Sequence, residues 1–236
     1  MSPLTVDYGT QRLEAHVRWA NRATLDIAVS PAGELVVTAP EGTSLEQIHA
    51  KVRLRARWVL EQQRYFAQFR PRTPERRWVP GETHRYLGRQ HRIRIGDATE
   101  PAPRVRLTRG FLLVDGVSFG DSATIERVVR RWYRERAHEV VRHRIPDCIH
   151  RFDVPTEPRA VSLRTMTSRW ASMSASGRLT VNPLLVRAPT SAIDYVLTHE
   201  LAHLVVSGHG PRFAALLDRV MPDHRRRKEL LERASA

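Results

Sequence analysis

The chain has 236 residues, 41% hydrophobic and 27% charged, with a formal net charge of +14. That length can bury a core as one large domain or two small ones, and the composition is that of a globular protein rather than a disordered or fibrous one. No apolar run reaches the roughly 18 residues that cross a bilayer, so no membrane partner is expected. Cys148 is the only cysteine, which excludes an internal disulfide and a cysteine-based zinc site.

The elements follow from periodicity and punctuation. LEAHVRW (13–19), ATLDIAV (23–29) and ELVVT (34–38) alternate as short strands, with SPAG (30–33) as a turn and Pro40 closing the group. Ser44 and Gln47 make a capping-box pattern ahead of one helix of about 24 residues, which Pro71 and Pro74 stop. Strands are expected again at 83–88, 91–95, 104–107 and 111–114. After Gly120 the pattern changes. Ile125, Val128, Val129 and Trp132 stand at helical spacing in a segment spanning 122–145, with arginines on the other face. Pro146 and Pro155 bracket an irregular stretch. Strands at 161–165, 169–174 and 178–182 come next, with SASG as a turn. A helix is expected over 191–206, capped by Thr190 or Ser191 and stopped near Gly208. Another opens at Pro211, and a charged one follows near 224–234. No internal repeat is visible. The order reads as α+β, with a strand-rich N-terminal region (1–118) and a second domain (119–236) divided near 116–121.

The chemistry concentrates in THELAHLVVSGHGPRF (198–213). His199 and His203, four apart on a helix, leave the same face one turn apart. Two neutral imidazoles so placed can hold one zinc ion, and Glu200, on the edge of that face, is placed to touch a water rather than the metal. A catalytic zinc needs a third protein ligand and one open position. His209, swung back by the turn at Gly208, is favoured. Glu229 and Glu232 in the last helix are the rivals. Phe213 reads as core and His224 as surface.

The runs TMTSRWASMSASGRLTVNPLLV, APTSAIDYVLTHELAHL and SGHGPRFAALLDRVMPD resemble the YgjP-like zinc metallopeptidases, relatives of the SprT and WLM zincin-like peptidases. RWVPGETHRYLGRQHRIRI and RRWYRERA resemble segments upstream of the catalytic domain in that family. The resemblance implies a zincin-like domain in 119–236. It implies one zinc ion on His199, His203 and His209, Glu200 as general base, and a small sheet whose edge lies along the active-site helix. This chain has Ala171 and Met173 where the family usually has glycine and cysteine. Neither position is a ligand in the family pattern.

The expected function is therefore zinc-dependent peptide hydrolysis on a protein or peptide substrate. The strand carrying Arg169, Trp170, Ala171 and Ser172 could receive an extended peptide at the sheet edge, or serve simply as structure with Trp170 in the core. Arg169 and Tyr195 are candidates to steady the oxyanion. The basic charge admits nucleic acid as a partner, hence a DNA-dependent peptidase or a nucleic-acid-binding protein with a vestigial zincin domain. However, every basic residue except Lys51 and Lys228 is arginine, and the excess is spread along the chain, as codon composition alone would produce. Zinc-dependent hydrolysis of a substrate other than peptide also stays open. MSPLTVDYGT shows no basic patch before an apolar core, and a cytoplasmic location is the expectation.

Overall fold

The computed structural model describes residues 2–30, 33–67, 76–166 and 169–235. It divides into two compact units, Met1–Thr73 and Pro74–Ser235. In the first, strands β1 (Ser2–Tyr8), β2 (Gln11–Ala20), β3 (Asp26–Val29) and β4 (Leu35–Pro40) form a sheet in the order β1-β2-β4-β3. Along β2, buried Leu13, Ala15 and Val17 alternate with exposed Glu14, His16 and Arg18, the period of two that gives a sheet one inner face. Helices α1 (Leu45–Leu54) and α2 (Ala56–Ala67) share that core through Ile48, Val52, Ala56 and Val59. The capping box forms as expected: the Gln47 amide donates to Ser44 Oγ, and the Ser44 amide to Gln47 Oε1, each at 3.2 Å.

Two expectations change here. The single long helix is two, broken at Arg55 (φ −100°, ψ 4°). Neither glycine nor proline marks the break, and the buried positions keep helical spacing across it. Strand β1 was not expected either; it pairs with β2 from Ser2↔Val17 to Tyr8↔Gln11. Pro31, Ala32, Pro71 and Pro74 lie outside the described residues.

The second unit opens with β5 (Thr83–Tyr86), β6 (Arg89–Ile95), β7 (Arg104–Thr108) and β8 (Phe111–Asp115), ordered β5-β6-β8-β7. As in the first sheet, the central pair is parallel and the outer pairs are antiparallel. Helix α3 (Ser122–Ile149) follows, so a four-strands-then-helix arrangement occurs twice in the chain without a matching sequence repeat. Along α3, Ile125, Val128, Val129 and Trp132 pack with Ile93, Leu112 and Val114. Farther on, Val141 and Cys148 enter the core of the remaining elements. One helix thus serves both cores, and the compact unit begins at 74 rather than at the 119 read from sequence. The helix also runs through Pro146, where a stop was expected. Buried Cys148 in its last turn makes continuation favourable despite the lost hydrogen bond.

Asp115 ends β8 fully buried, held by Arg106 Nε at 2.7 Å and Nη2 at 3.1 Å. A Cβ at Gly96 would collide with this carboxylate, so glycine is required there. The Arg106 hydrogen bonds hold the Asp115 carboxyl below the usual range. A carboxyl with a lowered folded pKa stabilises above its unfolded value, about pH 4, and that contribution is lost as pH falls through the folded value. Asp115→Asn should therefore melt below wild type at pH 7, and the gap should narrow as thermal scans move from about pH 5 toward pH 3.

A second sheet in this unit has β9 (Ala160–Leu163), β10 (Ala171–Met173) and β11 (Arg178–Val181) in the order β10-β11-β9. A 3-10 helix (Pro183–Arg187) not expected from sequence leads into α4 (Thr190–Ala202), followed by α5 (Pro211–Val220) and α6 (His224–Ser235). The class is α+β, as expected. Among the described residues no helix is long and apolar enough to cross a membrane.

Candidate metal centre

Helix α4 is apolar almost all round. Every residue from Ala192 to Thr198 is buried, so the helix runs through the core rather than over it. Its N-cap is Pro189, without the side-chain cap expected from Thr190 or Ser191. Of its two buried acids, Asp194 receives Arg144 of α3 through Nε and Nη2, both at 2.8 Å, and Arg227 of α6 at 3.7 Å. These arginines fix the helix from two sides.

The helix ends at Ala202, not at 206, and His203 is its C-cap. The backbone there tightens to shorter bonds, from the amides of His203, Leu204 and Val205 to the carbonyls of Glu200, Leu201 and Ala202. Valines at 205 and 206 are weak helix continuers. Gly208, at φ +78°, takes the left-handed conformation that turns the chain back. His209 then returns to the helix face.

The result is a cluster. One ring nitrogen from each of His199, His203 and His209 lies within 4.8 Å of the others, and Nε2 of His199 and His209 are 3.1 Å apart. Two nitrogens on one tetrahedral zinc, at about 2.0–2.1 Å each, stand roughly 3.4 Å apart. The donor set therefore fits zinc. Burial, then the neighbouring His203 and His209, pull the His199 imidazole down to about 4. Burial, then His209, lowers His203. Both rings are neutral at physiological pH, the form that offers a lone pair. Glu229 and Glu232 do not join the cluster.

Glu200 is buried beside the triad. Burial raises its carboxyl pKa, while a hydrogen bond from the Met173 amide and the charge of Arg169 oppose the rise. An open cleft of about 510 Å³ runs past these groups, bounded by β10 on one side and Ser207–His209 on the other. Arg169, Ala171 and Ser172 line it. Trp170 does not. Its indole packs against the core, where so large an apolar surface gains most from burial. Tyr195 is also a core residue. His224 pairs with Asp218 at 2.9 Å.

Phe213 is core, as expected, and is also the support of the site. Its ring centroid lies 4.9, 4.6 and 5.0 Å from those of His199, His203 and His209. Only its place two residues after Pro211 at the start of α5 could have hinted at this. Phe213→Ala should lose about 3–5 kcal/mol of stability and bind metal roughly tenfold more weakly. Urea denaturation and chelator competition would measure the two effects.

Three imidazoles and a buried carboxylate at one cleft have the make-up of a hydrolytic metal centre, and comparison with known proteins agrees in class. The model of the YgjP-like metallopeptidase domain matches residues 23–234, and the chain belongs to that family of metallopeptidases. No curated protein matches it. Among solved structures, the crystal structure of the metallopeptidase zymogen of Pyrococcus abyssi abylysin is similar at 26% identity, with a TM-score of 0.30. That match covers 40% of this chain and 87% of the other.

Proposed function

We propose that this protein is a zinc peptidase that cleaves extended peptide segments, with His199, His203 and His209 holding one zinc ion and Glu200 acting as general base. The observation that carries the reading is the convergence of the three imidazoles beside buried Glu200. A zinc ion bound there would supply Lewis acidity toward a carbonyl and a water of lowered pKa.

The chain's own residues do the rest. Burial raises the Glu200 carboxyl pKa, the direction that makes it a better proton acceptor. Its carboxylate takes a proton from the attacking water and returns it to the departing amine nitrogen. Strand β10 positions the substrate. The Asn182 amide donates to the Trp170 carbonyl and the Ser174 amide to the Arg178 carbonyl, so residues 170 and 174 turn their backbone groups toward β11. By alternation, Ala171 and Met173 turn theirs to the outer edge of the sheet, where the Met173 amide meets Glu200 and the Ala171 backbone groups and Met173 carbonyl are left for a substrate. A substrate strand can pair there, Arg169 lying at the same cleft to meet negative charge.

The test is hydrolysis of an unfolded protein substrate before and after chelation. Activity lost to chelator and restored by zinc supports the proposal. Activity indifferent to chelator overturns it.

A further inference from the structure

A second cavity, of about 310 Å³, lies in the same unit against α3. Three guanidinium groups reach its wall: Arg76 from the segment before β5, Arg130 from α3, and Arg187 at the end of the 3-10 helix. They come from separate parts of the chain, so no sequence pattern announces them.

Most charges around the cavity are already matched. Arg130 Nε meets Glu126 at 2.7 Å, and its guanidinium lies 5.1 Å from the Trp78 ring centre. Arg76 donates to the Thr83 carbonyl and comes only within 4.0 Å of Glu82. Glu82 is committed elsewhere: it contacts His84 Nε2 at 3.0 Å and accepts from the amides of Arg77 and Trp78. The Tyr133 hydroxyl donates to the Arg85 carbonyl at 2.7 Å. Arg187 is different. Among the described residues its half-buried side chain has neither an ion-pair partner nor a hydrogen bond, and Arg76, Arg85 and Arg130 repel it.

A guanidinium half withdrawn from water without a counter-ion is costly. Three guanidinium groups on the wall of one space, converging from separate elements, match the oxygens of a tetrahedral anion better than a flat carboxylate. The cavity also exceeds the size of a bare oxyanion. We infer that it binds a phosphate dianion, either free or carried on a small organic molecule, with Arg187 as the principal contact and Arg76 and Arg130 completing the charge.

Calorimetric titration with inorganic phosphate and, separately, with phenyl phosphate tests this at constant ionic strength. The proteins are wild type, Arg187→Gln, and Arg109→Gln as an exposed control with the same charge change. Wild type and Arg109→Gln should bind saturably at one site per chain. Arg187→Gln should bind about ten- to a hundredfold more weakly, the loss of one charge-assisted contact. Tighter binding of phenyl phosphate assigns the site to a phosphorylated organic molecule; equal or weaker binding assigns it to free phosphate. In phosphate-free buffer Arg187→Gln should melt above wild type, and phosphate should raise the melting points of wild type and Arg109→Gln but hardly that of Arg187→Gln. The wild-type titration decides even if the variant folds poorly. Absence of saturable binding to wild type overturns the inference, as does equal affinity in Arg187→Gln.

Discussion

Glu200→Gln is expected to keep the bound metal and lose peptide hydrolysis by a factor of about 10² to 10⁴, the usual contribution of a positioned general base. The neutral isostere retains a carbonyl oxygen for the Met173 amide, so the helix-to-strand contact that places residue 200 survives. What disappears is the group that accepts and returns the proton. Steady-state kinetics alongside metal analysis separates the effects. Wild-type turnover in this variant would remove Glu200 from the mechanism. Lost turnover together with lost metal would make the residue a support of the site instead.

Asp194→Ala should be strongly destabilising for α4. It removes the carboxylate that Arg144 grips with two bonds and Arg227 approaches from α6, and the Asp194 side chain is only 6% exposed. Truncating one partner of a buried ion pair costs about 3–5 kcal/mol because the remaining charge stays behind. Arg144 keeps Asp147 at 2.7 Å and Arg227 keeps Asp223, so the lower end applies, about 3 kcal/mol. For a protein of this size that lowers the melting point by roughly 6–12 °C. Activity should fall with it, because the same helix carries His199 and Glu200. An unchanged melting point would show that the arginines do not anchor the helix.

Local chemistry was legible in the sequence. Partial alternation announced β2, β3 and β4, and short strand-like runs announced β5 to β8; Ser44 with Gln47 announced a helix start; and histidines four apart with a glutamate between them announced a candidate site. His209 was readable because Gly208 permits the reversal that brings it back. Features that depend on distant partners were not legible. Asp194 and Arg144 stand 50 residues apart, and neither has a local signal of pairing. The helix break at Arg55 and the continuation through Pro146 reflect what each segment packs against. Intrinsic propensity favours the opposite outcome at both places. The repeated arrangement of four strands and a helix is a match of pairing order with no common sequence motif. For the same reason the boundary read near 118 falls inside the second compact unit: the switch from strands to helix at Gly120 is a change of element, while the core continues across it.

The central claim is that His199, His203 and His209 form one metal site. The most direct measurement is the metal content of the purified, dialysed protein by mass spectrometry, without added metal, for wild type and His203→Ala. About one zinc per wild-type chain, largely lost from the variant, is the expected result. Wild-type protein that carries no metal and takes up none when zinc is supplied would contradict it, leaving the three histidines as part of an ordinary helix end.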